Sequence, residues 1–125
     1  MATQVAALPT HTDLIITRGN DTNLLITIEN TSGVAQNIEN DSVTFIARDG
    51  LTGTAEIELT NSTGQHTTPL SGTTTFAITD AITEGFASAT DSTTLLYEVR
   101  RTFQAGEEVV YLRGRLRIEP LPSPD

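Results

Sequence analysis

The stretch from Thr94 to Pro120 constrains this chain more than any other. It alternates apolar and polar residues on both sides of Ala105-Gly106, the period-two signature of two half-buried strands joined by a tight turn. If the turn pairs Gln104 with Glu107, Val99 falls opposite Leu112, Tyr97 opposite Gly114, Glu98 opposite Arg113 and Arg100 opposite Tyr111. Apolar then meets apolar and charge meets opposite charge, as cross-strand neighbours prefer. A slip of one residue would mix the two faces. Leu95, Tyr97, Val99, Val110, Leu112, Leu116 and Ile118 are expected on the core face. Arg100, Arg101, Arg113, Arg115 and Arg117 are five of the chain's seven basic residues.

The rest of the chain follows the same pattern. Strands are expected over Thr12–Arg18, Thr22–Glu29, Ser42–Arg48, Leu51–Thr60 and Thr73–Ile78, with a weak strand or extended connection over Val34–Ile38. Gly19-Asn20-Asp21, Asn30–Gly33 and Asp49-Gly50 punctuate them, and Asn61–Gly72 is the longest polar loop. Thr79–Ala87 is the one helical candidate: Thr79 is a natural cap, Asp80 suits a first turn, and Gly85 stops it within two turns. Thr occurs 23 times and suits half-exposed pleated surfaces. Turn signals every 8–12 residues complete the expectation of an all-β, immunoglobulin-like antiparallel sandwich of seven or eight strands with one short helix. The expected organisation is an N-terminal arm at 1–11, a sandwich at 12–119 and a Pro-rich tail at 120–125.

Charge narrows the function classes. A net charge of −9 opposes non-specific nucleic-acid binding and docking on anionic membranes. No apolar run approaches the roughly 20 residues of a membrane span. No signal peptide is apparent, so the chain is expected to be made in a cytoplasm and kept there or assembled into something later released. The absence of Cys removes disulfides and thiolate metal sites. His11 and His66 have no second ligand at useful spacing and read as two solvent-facing histidines. No nucleophile sits in a recognisable catalytic motif. No catalytic residue, metal or cofactor is therefore expected, and the chain reads as non-enzymatic.

Arg113, Arg115 and Arg117 alternate, so all three project from one strand face, with Arg100 beside them on the partner strand. One reading is a solvated face with weak cross-strand ion pairs. The sharper one is a docking stripe for an acidic partner, since arginine's fork binds carboxylates bidentately. Tyr111, expected to face outward, completes the candidate partner-binding set of Arg100, Tyr111, Arg113, Arg115 and Arg117. Arg101 falls on the inward phase near the turn.

The layout resembles a family of small immunoglobulin-like phage virion domains, similar to the N-terminal domain of phage baseplate upper proteins. The features that carry the resemblance are Arg18-Gly19-Asn20-Asp21 before Leu24–Ile28, the strand Val43–Arg48, the passage Ile78–Ile82 from strand to brief helix, and the closing Tyr97-Glu98-Val99 with Leu112–Pro120. It implies a virion structural protein, either capsid-associated decoration or cement or a tail or baseplate adaptor. Its partners would be other virion structural proteins and further copies of itself, with no catalytic residues. The sequence given stops at residue 125 without a fibre or receptor-binding module, which favours an adaptor, cement or decoration role. The alternative class is a carbohydrate-binding or host-adhesion module, which needs exposed aromatic platforms. Tyr111, Phe86 and Phe103 are the candidates, and there is no Trp.

Overall fold

The structure is a computed structural model that describes residues 2–6, 10–11, 13–17, 21–30, 32–49, 55–83 and 93–119. Arg18, together with Gly19 and Asn20 of the expected Gly19-Asn20-Asp21 turn, Leu51–Thr54, Phe86 and the Pro-rich tail lie outside them. The strands are β1 (Ala2–Ala6), β2 (Thr10–His11), β3 (Leu14–Thr17), β4 (Thr22–Thr27), β5 (Ser42–Arg48), β6 (Ala55–Asn61), β7 (Thr73–Ile78), β8 (Thr93–Thr102) and β9 (Glu108–Glu119). They form two sheets: β1-β4-β7, and β2-β9-β8-β5-β6 with β3 also paired to β9. β2 and β3 follow one another along β9, so the expected all-β sandwich is the fold.

The core lies between the sheets. Leu24 and Ile26 of β4 and Phe76 and Ile78 of β7 face Val43, Phe45 and Ala47 of β5 and the inward residues of β8 and β9; all are buried. The Phe45 ring lies 6.0 Å from Phe76 across the sandwich and stacks on Tyr97 at 5.5 Å within its own sheet. A fully buried Leu, Ile or Phe contributes roughly 1.5–3 kcal/mol, so this alternating set is the main source of stability.

The N-terminal segment departs from expectation in two ways. Residues 2–6 and 10–11, expected in an arm, pair in the sheets, and the pairing of β1, β2 and the expected strand β3 is parallel: β1 runs along β4, and β2 and β3 run along β9. Alternation predicts which face a strand buries but not the direction of its neighbour. The other pairs are antiparallel. Val34–Ile38 is an extended connection, not a strand; the isolated bridge Glu29↔Ala35 and backbone hydrogen bonds from Gln36 to the Ile28 carbonyl and from Ile38 to the Pro69 carbonyl hold it. The helix, α1 (Asp80–Thr83), is one turn long in the described residues. The Asp80 N–H donates to Asp21 Oδ1 at 2.9 Å, so the cap comes from a distant turn as well as from the Thr79 carbonyl, which accepts from Ile82 and Thr83.

The closing hairpin keeps the expected register from Tyr97↔Gly114 through Glu98↔Arg113 to Val99↔Leu112 and then shifts. The turn is a three-residue loop, not the expected two-residue one. Phe103 N–H donates to the Glu107 carbonyl at 2.7 Å, Gly106 N–H donates to the Phe103 carbonyl at 2.8 Å, and Gly106 sits at φ +103°. Arg100 therefore pairs with Val110, and Tyr111 becomes the extra residue of a β-bulge. The bulge reverses the phase near the turn: Val110 moves outward opposite Arg100, while Val109 packs against the core in its place.

Candidate interaction surface

On the outer face of the larger sheet, β9 alternates buried Leu112, Gly114, Leu116 and Ile118 with exposed Arg113, Arg115 and Arg117. The expected arginine stripe is therefore present on one face. Arg117 is tied to Glu119 of its own strand at 2.6 Å. Asp13 fastens the neighbouring segment to β9 by accepting the Arg115 backbone N–H at 3.0 Å. Arg113 and Arg115 have no carboxylate within 4 Å among the described residues.

Arg100 is not part of the free stripe. Its guanidinium, half-buried, bonds to Glu98 and reaches Glu108 at 3.8 Å. Glu98 also accepts from Arg48 of β5 at 3.0 Å, so the carboxylate that the register puts opposite Arg113 is shared by two other arginines. Burial pushes the Glu98 carboxyl up, but hydrogen bonds from Arg100 and Arg48 together with their charges outweigh it and hold the group below its ordinary value. The bond to Glu98, working against desolvation, raises Arg100.

Tyr111 requires correction. It was expected to face outward and to contribute to partner binding, but it is only 5% exposed. The bulge turns its ring inward, and its hydroxyl accepts from Arg101 Nη1 at 3.2 Å. It offers no platform to a partner or a sugar. Phe103 is half-buried, with the Arg101 guanidinium 4.0 Å above its ring.

Arg101 anchors a cluster that has no local sequence signature. It is 6% exposed, and its Nε and Nη2 hold Asp41 Oδ2 at 2.8 and 2.7 Å while Nη2 also donates to the Asn37 carbonyl at 3.1 Å. The other Asp41 oxygen accepts the Gln104 N–H at 3.0 Å. This charge pair, hydrogen-bonded on every side, pins the hairpin turn to the β4–β5 connection. The solvent-facing expectation fails for His66. It is half-buried, with Nε2 2.7 Å from the Asp41 carbonyl and Nδ1 3.1 Å from Thr74 Oγ1. Only the inward phase of Arg101 signalled the cluster in advance. Asp41 and His66 are distant in sequence and meet through the fold. The side chain of His11 lies outside the described residues.

Among the described residues no group of three or more His, Asp and Glu is placed to hold a metal ion, and no helix is long and apolar enough to cross a membrane. No family model and no curated protein matches the chain. Among solved structures, its fold is similar to the N-terminal domain of phage TP901-1 ORF48. The likeness covers 94% of this chain and 98% of that one, with a TM-score of 0.56 and 11% sequence identity. The resemblance read from the sequence therefore holds at the level of the fold. The shared unit is nearly the whole sandwich on both sides.

Proposed function

We propose that this chain is a non-enzymatic structural protein of a phage particle, on the tail or baseplate side, that holds its place through protein–protein contacts. The likeness to a phage protein domain over 94% of this chain and 98% of that one carries the reading. The sequence resemblance to baseplate upper proteins favours the tail over a capsid-decoration role. The chemistry of the surface agrees with it. An exposed arginine stripe on an otherwise acidic molecule suits an acidic protein neighbour. His66, the histidine whose side chain is described, has both ring nitrogens within bonding reach of Thr74 and the Asp41 carbonyl, which leaves it poorly placed as a catalytic base. The inward Tyr111 removes one of the three aromatics named for the carbohydrate-binding alternative, and half-buried Phe103 has its ring covered by Arg101.

Replacing Arg113, Arg115 and Arg117 together by Ser tests the reading in a phage carrying the changed gene. The expected result is a folded variant that is depleted from purified particles. Unchanged incorporation would reduce the stripe to a solvated face.

A further inference from the structure

Two charge sets on the outer face of the larger sheet do not meet within one molecule. Of the six described arginines, Arg48, Arg100, Arg101 and Arg117 are in ion pairs, whereas exposed Arg113 and Arg115 are in none. Glu56 and Glu58 of β6, also exposed, have no basic side chain within 4 Å among the described residues. The pairing places the two sets in matching rows. Arg113 lies opposite Glu98, Glu98 opposite Ile46, and Ile46 opposite Glu58. In the next row Arg115 lies opposite Leu96, Leu96 opposite Arg48, and Arg48 opposite Ala55, where the β5–β6 register shift leaves Glu56 between Ala55 and Ile57. Three strand spacings, about 14 Å, separate β9 from β6. A charge-assisted hydrogen bond needs about 2.8 Å, so the sets cannot neutralise each other in one copy.

We infer that this face binds a second copy of the chain, about a two-fold axis that runs along the strands between β8 and β5. That rotation lays β9 of each copy over β6 of the other and keeps each row on itself. Arg113 then faces Glu58 of the second copy and Arg115 faces Glu56, and symmetry makes each contact twice. A two-fold axis across the strands would instead set arginine on arginine. Glu98, at the seam, brings its own two arginines and is not left unpaired. The contact goes beyond the virion reading and does not depend on it.

The test uses the purified full chain and light scattering coupled to size exclusion. The wild type should be a dimer at low salt and dissociate as ionic strength rises. R113E/R115E alone and E56R/E58R alone should each weaken association at least tenfold while keeping the circular-dichroism spectrum of the wild type. Mixing the two variants should restore a dimer, because each then carries the charge that the other lacks. A wild type that stays monomeric up to about 1 mM at low salt overturns the inference. A dimer indifferent to either variant, or a mixture that does not associate, overturns it equally. Both outcomes are read on the isolated protein, so neither bears on incorporation into particles.

Discussion

Two polar residues inside the sandwich set its most sensitive chemistry. The Arg101–Asp41 pair is buried and satisfied on all sides, so removing one partner leaves an uncompensated charge. Arg101→Met should destabilise the fold by about 3–5 kcal/mol, read as a shift in the urea midpoint with an unchanged slope. A loss below about 1 kcal/mol would mean that the pair is effectively solvated. Glu98 gives a pH-dependent counterpart. Its folded carboxyl titrates below its ordinary value of 4.5, so its contribution is present above that value and fades as the pH falls through the lower folded one. Glu98→Gln should therefore cost about 1–2 kcal/mol at pH 7, and the difference from wild type should close only as the pH falls through that lowered folded value. A difference that persists unchanged at low pH would mean that the charge of Glu98 contributes nothing.

At the scale of elements, a glycine and a bulge fix how the loops meet the sheets. Gly72 follows the 3-10 turn Pro69–Ser71 at φ +73°, and a Cβ there would lie 2.6 Å from the Ile28 carbonyl oxygen and 2.7 Å from that of Gln36. Those are backbone atoms that cannot swing away. Gly64, at φ +88°, has open space around it. Gly72→Ala should cost more than the roughly 1–3 kcal/mol of left-handed strain alone, and Gly64→Ala no more than that strain. Thermal unfolding of the two variants compares them directly, and equal losses would contradict the packing at Gly72. The bulge at Tyr111 shows where sequence reading stopped. Alternation placed Leu95, Tyr97, Val99, Leu112, Leu116 and Ile118 on the core face. It could not reveal that Gly106 closes a three-residue loop, which shifts the register by one and needs Tyr111 to absorb the shift. One residue of turn geometry thus moved the candidate aromatic from the surface to the core.

At the scale of the molecule, the sandwich was legible because each strand carries its own period-two pattern. The parallel docking of β1, β2 and β3 was not, because neighbour direction leaves no trace in a single strand's pattern. The arginine stripe was legible for the same reason as the strands. Arg100's capture by Glu98 and Glu108, and the distant partners Asp41 and His66, depend on which strands lie side by side. Among the described residues the molecule pairs Arg101 with Asp41 in its interior, ties Arg48, Arg100 and Arg117 to carboxylates nearer its surface, and leaves Arg113 and Arg115 exposed on a sheet face suited to a protein neighbour. The virion reading is the central claim. Quantitative mass spectrometry of gradient-purified phage particles against the particle-free lysate tests it most directly. The account predicts the chain in the particle fraction at a fixed ratio to the other structural proteins; a chain found only in the particle-free lysate would contradict it.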